Sequence, residues 1–142
     1  MNTKIGQALK AGIIATLVMT MIMFVAPYMG LPKMNPAAML SMMMGVPAII
    51  GWMMHFMIGV IFAFSYVMIF HSLLHRVTQK FIKGVIFGFI AFVIAQIALP
   101  VMGAIFGGMP SPEGGMALMM MGSLIGHVVF GIVVALLANV NN

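Results

Sequence analysis

Four long apolar segments are the feature that most limits how this chain can fold. They cover about residues 8–29, 47–70, 82–104 and 116–138. A helix needs roughly 20 apolar residues to cross about 30 Å of hydrocarbon, and each segment meets that length. Only 5% of the 142 residues are charged, whereas a soluble domain has about 25%. The sequence therefore predicts an all-α membrane protein, with residues 1–142 forming a single transmembrane domain of four spans.

The positions of the basic residues predict the direction of the spans. Cytoplasmic loops of membrane proteins carry an excess of Lys and Arg. One side of the predicted spans carries all of the basic residues except Lys33, namely Lys4, Lys10, Arg76, Lys80 and Lys83. We therefore expect both termini in the cytoplasm and the lipid bilayer as the main partner. The lysines flank apolar segments and do not form a nucleic-acid-binding face, so no nucleic acid is expected.

Several kinds of catalytic site are excluded by composition. The chain has no cysteine and no aspartate, and its single acidic residue is Glu113. Disulfides, thiolate metal sites and cysteine nucleophiles are therefore absent. Paired-carboxylate catalysis and a Ser-His-Asp triad are also unavailable. The sequence predicts that the protein is not an enzyme.

The two halves of the chain resemble each other, about residues 9–67 and 82–138. Each unit holds two spans, so the four helices are predicted to form two parallel-repeat helical hairpins related by an axis along the membrane normal. Small residues spaced four apart allow close approach between helices. The residues expected to pack helices in this way are Ala11, Ala15, Gly59, Gly84, Gly88 and Gly131. The repeat predicts a tight four-helix bundle.

Each half also carries the same stripe of a small residue, histidine, glycine and alanine. The two stripes are Gly51–His55–Gly59–Ala63 and Ser123–His127–Gly131–Ala135. Spacing of four residues places each stripe on one face of a helix. An ionisable side chain inside a membrane span is a functional candidate by default. His55 and His127 are therefore the candidate site.

Two interpretations of this histidine pair are open. The pair could ligate haem iron or a metal such as Cu(I), or relay protons. In the copper case Met54, Met119 and Met120 are candidate accessory ligands, because thioether sulfur is a soft ligand. Alternatively, no cofactor is bound and each imidazole forms hydrogen bonds within the bundle. The expected partners are then Thr16, Thr20, Ser123, Gln96 or a backbone carbonyl.

The chain is rich in methionine, with 20 among its 142 residues. Many of these residues fall toward the predicted outer side of the membrane, where copper handling would make sense. Consecutive methionines on a helix point in different directions, so a triplet alone cannot converge on one ion. Methionine also replaces leucine as a flexible apolar filler, and the pattern favours filler.

Short motifs in three of the spans carry a family resemblance. They are Gly12-x-x-Ala15-Thr16-x-x-Met19-Thr20, His55-x-x-x-Gly59 and Gly126-His127-x-x-x-Gly131. They resemble a family of small bacterial four-helix membrane proteins of unknown function. The resemblance spans nearly the whole chain and implies a bacterial inner-membrane location. It also agrees with the hairpin-repeat architecture, and it implies no activity.

Three classes of function follow from these features. The first is a non-enzymatic accessory or scaffold bundle, which could act as a homodimer or within a larger membrane complex. The second is a haem-binding or Cu(I)-binding membrane protein that uses His55 and His127. The third is a small transporter or channel subunit, for which only Gln96, Thr16, Thr20 and the histidines could line a polar path. The sequence favours the first.

Overall fold

A computed structural model describes residues 3–107 and 115–138, so Glu113 and the rest of its loop lie outside the described residues. Within those ranges the chain is all-α, as predicted. The helices are α1 (Lys4–Val25, continued by a 3₁₀ turn at Ala26–Met29), α2 (Pro36–Met44), α3 (Ala48–Leu73, with a π-helical stretch at Tyr66–Phe70), α4 (Lys80–Phe106) and α5 (Met116–Leu137).

Four of these helices, α1, α3, α4 and α5, are long and apolar enough to cross a membrane. They coincide with the four segments that hydropathy predicted, to within a few residues at each end. The predicted fold class, an all-α chain with four long apolar helices, is thus confirmed.

Helix α2 lies between the first two predicted spans, where the sequence analysis predicted no helix. The Oδ1 atom of Asn35 accepts a hydrogen bond from the backbone N–H of Ala38 at 3.0 Å, which caps the first turn. Pro36 occupies the first helical position, where its missing N–H costs nothing. Gly45, at φ 64°, ends the helix in the left-handed conformation that glycine adopts easily. The helix packs against α3.

Helix α1 lies at the centre of the bundle, because it packs against both α3 and α5. One face of α1 packs against α3 and an adjacent face packs against α5, and both faces carry small or flexible residues. A Cβ atom added to Gly12 would lie 2.7 Å from the Cα atom of Val60 on α3. A Cβ atom added to Gly126 on α5 would lie 2.7 Å from the Cε atom of Met23 on α1. The two hairpins therefore join through α1 and α5.

The bundle departs from exact twofold symmetry. In the predicted repeat α1 corresponds to α4, yet α4 packs mainly along α5. The ring of Phe87 on α4 does lie close to α3 near its C-terminal end, with centroids 4.9 Å from Tyr66 and 5.2 Å from Phe70. Much of α4 is therefore an apolar surface free to face lipid or another protein.

Candidate functional site

His55 is buried between α3 and α1, with 7% of its surface exposed. Its Nε2 atom lies 3.0 Å from the Oγ1 atom of Thr20 on α1. The Thr20 hydroxyl donates its only hydrogen to the carbonyl oxygen of Thr16 at 2.7 Å. The imidazole must therefore donate to Thr20. In the neutral ring this leaves the lone pair on Nδ1 of His55.

Glycine allows α1 and α3 to come close enough for this hydrogen bond. A Cβ atom at Gly59, one turn from His55, would overlap the Oγ1 atom of Thr16. That hydroxyl turns back on its own helix and donates to the carbonyl oxygen of Gly12 at 2.7 Å. The rings of Trp52 and Phe56 meet the imidazole edge-on, with centroids 6.2 Å and 6.0 Å away. The imidazole is therefore held in one orientation by packing as well as by the hydrogen bond.

His127 lies on α5 and is only partly buried. Its Nδ1 atom is 2.8 Å from the backbone carbonyl oxygen of Ser123, one turn earlier. A carbonyl oxygen only accepts, so Nδ1 carries the hydrogen and the neutral ring has its lone pair on Nε2. The Oγ atom of Ser123 also accepts a long hydrogen bond, 3.4 Å, from Nε2 of Gln96 on α4. Gln96 and Ser123 thus link the two helices of the second hairpin.

Helices α4 and α5 approach each other through three glycines. A Cβ atom at Gly84 would lie 2.5 Å from the Cα atom of Ile132. One at Gly88 would lie 2.6 Å from the Cα atom of Val128, and one at Gly131 would lie 2.6 Å from the Cα atom of Gly88. All of these neighbours are backbone atoms, so no side-chain rotation could make room. The pair depends on glycine at these positions.

Within the described ranges no hydrogen bond joins the two histidines. Each instead has its own partner in its own hairpin. Each keeps one ring nitrogen with a lone pair, Nδ1 of His55 and Nε2 of His127, that could accept a hydrogen bond or ligate a metal. Residues 3–107 and 115–138 contain no group of three or more His, Cys, Asp or Glu side chains that could hold a metal ion.

The three methionines considered as accessory ligands have different surroundings. Met54 and Met119 are partly buried, and 42% of Met120 is exposed. Met54 directly precedes His55 in the sequence, so its side chain leaves α3 roughly 100° away from the imidazole. None of the three has a hydrogen bond to a histidine in the described part of the chain.

Methionines on the inner faces of the bundle pack into notches left by glycine. The terminal methyl group of Met34 lies where a Cβ atom of Gly122 would be, and Met23 fills the equivalent position at Gly126. The buried Met23 and Met34 also line an apolar pocket of about 390 Å³. These side chains contact carbon atoms, as flexible fillers do.

Two contacts were missed by sequence reasoning. Ala11 and Ala15 are fully buried in α1, but Gly12 is the residue directly against the α3 backbone. The pairing of methionines with Gly122 and Gly126 was also missed. In both cases the four-residue spacing was visible, but it did not indicate which of two adjacent helix faces meets which neighbour.

The four long apolar helices, with small residues and paired polar groups at their contacts, define a helical bundle compatible with a multi-pass membrane protein. The chain belongs to DUF6789, a family of unknown function whose model matches residues 2–141. No curated protein and no solved structure matches the chain. The predicted membership of a family of unknown function is thereby confirmed, while the bacterial origin and the His-x-x-x-Gly motif of that family stay predictions.

Proposed function

We propose that this protein is a non-enzymatic accessory or scaffold bundle of the bacterial inner membrane. The observation that carries the proposal is the hydrogen bond from Nε2 of His55 to Oγ1 of Thr20, at 3.0 Å. It directs a buried polar side chain of α3 toward a neighbouring helix rather than toward a ligand. Interhelical hydrogen bonds of this kind stabilise membrane bundles by about 0.6 kcal/mol, and by up to about 2 kcal/mol.

The absence of enzymatic activity is inferred from chemistry. General acid–base and nucleophilic catalysis need a positioned base beside a second reactive group. The sequence offers one carboxylate, Glu113, and no thiol. The hydroxyls of Thr16 and Thr20 already donate to carbonyl oxygens of their own helix. Neither is therefore poised as a nucleophile, and neither supports the transporter or channel alternative.

The orientation and assembly state belong to the same proposal. The end of the bundle that carries Lys4, Lys80 and Lys83 faces the cytoplasm, following the excess of basic residues there. The exposed face of α4 includes Ile97 and Val101, which are 63% and 52% exposed. A bundle with such a face can meet lipid, a second copy or a larger membrane complex.

A second candidate function, haem or Cu(I) binding by His55 and His127, is favoured by one specific observation. His127 donates its Nδ1 hydrogen to a backbone carbonyl and leaves Nε2 free. Metal-ligating histidines are commonly oriented by such a hydrogen bond. His55 likewise has one ring nitrogen with a lone pair. Two imidazoles alone would supply the axial ligands of a haem, whereas Cu(I) would need sulfur from a methionine as well.

Elemental analysis separates the two candidate functions. The detergent-purified protein, prepared without chelators, is compared with a His55→Ala/His127→Ala double variant by metal quantification and by visible absorption. We expect less than one tenth of an equivalent of iron or copper in both proteins, roughly the background of adventitious binding, because both imidazoles are engaged within the bundle. Near-stoichiometric iron or copper that disappears in the double variant would overturn the scaffold proposal in favour of a histidine cofactor site.

A further inference from the structure

One end of the bundle collects basic side chains from three helices. Lys4 begins α1, His71 lies near the end of α3, and Lys80 and Lys83 lie in the first turn of α4. The charges of Lys4, Lys80 and Lys83 all act on the His71 imidazole. We call these four residues the basic cluster.

Ring contacts join two of the helices that carry the basic cluster. Lys83 and Phe87 are four residues apart and share one face of α4. The Phe87 ring lies 4.9 Å from the Tyr66 ring, and the Tyr66 ring lies 6.2 Å edge-on from His71. Helix α1 contacts the same Tyr66–Phe70 stretch of α3. The aromatic packing therefore brings the end of α3 that carries His71 against the start of α4, which carries Lys83.

Lys83 is unusual within the cluster because only 8% of its surface is exposed. A lysine is almost never so deeply covered unless its charge is paired. The described residues give its ammonium group neither a hydrogen bond nor an ion pair. A lysine in such a setting covers its aliphatic stem with apolar neighbours and extends its ammonium group toward the surface.

No carboxylate side chain is available to balance this charge. The only acidic residue of the chain is Glu113, so none of the residues that the structure describes has a carboxylate side chain. Like charges held together repel, and the repulsion is relieved by an anion that contacts several of them. Phosphate oxygens accept hydrogen bonds from ammonium groups and from the N–H of a neutral imidazole. Anionic lipid headgroups present phosphate at the depth where a span ends.

We propose that the basic cluster of Lys4, His71, Lys80 and Lys83 is a binding site for a phosphate group, with Lys83 as its buried contact. The phosphate can belong to an anionic lipid headgroup or to a free phosphate ion. If the phosphate belongs to a lipid, the cluster binds this end of the bundle to anionic headgroups. The free ion would make the cluster an anion site open to the aqueous phase.

The test is a titration of the full-length protein in neutral detergent. Phosphatidylglycerol, phosphatidylcholine and inorganic phosphate are added in separate arms, and bound ligand is counted by native mass spectrometry. We expect phosphatidylglycerol to bind more tightly than phosphatidylcholine, and Lys83→Gln to weaken its binding about fivefold, the effect expected for one lysine at an anionic surface. Inorganic phosphate that binds with the same Lys83 dependence would assign the site to a free anion.

Lys10→Gln is the matched control, because Lys10 occupies the position equivalent to Lys83 in the predicted repeat and is exposed. It makes the same change in net charge and should leave binding within twofold of the wild type, as an exposed charge in high dielectric contributes little. If Lys83→Gln does not fold, His71→Gln takes its place and is expected to weaken binding as well. Equal binding of both lipids with no response to phosphate, or equal losses in the cluster variant and Lys10→Gln, would overturn the proposal.

Discussion

Replacement of Gly131 by leucine is expected to separate α4 from α5 and to lower the free energy of unfolding by roughly 3 kcal/mol, the upper end of the usual cost of overpacking. A side chain at this position would meet the backbone of Gly84 and Gly88, with the Cα atom of Gly88 only 2.6 Å from the new Cβ atom. Backbone atoms cannot rotate away, so the helices must move apart. The measurement is unfolding by dodecyl sulfate titration in mixed micelles, followed by circular dichroism.

Ala98→Leu provides the control for this substitution, since Ala98 lies on the exposed face of α4. It adds apolar volume to the same helix pair without meeting another helix. We expect its unfolding free energy to stay within about 0.5 kcal/mol of the wild type, as is usual for surface substitutions. A Gly131→Leu variant as stable as Ala98→Leu would show that α4 and α5 do not pack through these glycines.

The second large effect is expected at Gly59, where the contact is with a side chain rather than with backbone. Alanine at Gly59 would overlap the Thr16 hydroxyl, and its Cβ atom would lie 3.1 Å from that of Thr16. We expect Gly59→Ala to lower the unfolding free energy by about 1–3 kcal/mol, in the same titration. The loss should include the hydrogen bond between His55 and Thr20, because α1 and α3 would shift apart.

Thr16→Ala should restore part of this loss when combined with Gly59→Ala, because it removes the overlapping hydroxyl. The two single variants and the double variant form a thermodynamic cycle. Residues in direct contact usually show an interaction of about 0.5–3 kcal/mol in such a cycle. Strictly additive losses would contradict the contact between Gly59 and Thr16.

The long helices could be predicted from the sequence because hydropathy over some 20 residues is a strong signal. Helix α2 was not predicted, although Asn35 and Gly45 are residues typical of the two ends of a helix. Its composition of Pro, Ala and Met suggested a loop, and nine residues are too few for a clear apolar period. Local signals were therefore present but were outweighed by composition.

The histidines were identified from the sequence, but their partners were not. Thr20, Ser123 and Gln96 all appeared among the expected hydrogen-bond partners of the two imidazoles. Which of them meets which histidine depends on the rotation of each helix about its axis, and spacing alone does not determine that rotation. The same reason explains why Ala11 was singled out when Gly12 makes the closer contact with α3.

The asymmetry of the bundle also could not be predicted from the sequence. The repeat makes α1 and α4 equivalent in pattern, but Thr16 and Thr20 have no polar counterparts in α4. Gln96, which contacts Ser123 in the second hairpin, corresponds instead to Met23 of the first. These polar side chains differ between the two halves, in line with α1 lying between two helices while α4 packs mainly against one.

Nitrogen NMR of protein labelled with ¹⁵N in its histidine rings tests whether both imidazoles donate hydrogen bonds inside the bundle. Single His55→Gln and His127→Gln variants assign the signals, and Thr20→Val removes the acceptor of His55. We predict a neutral ring protonated on Nε2 for His55 and on Nδ1 for His127, with Thr20→Val altering only the His55 signals. Opposite tautomers, or metal-shifted signals from both rings, would contradict it.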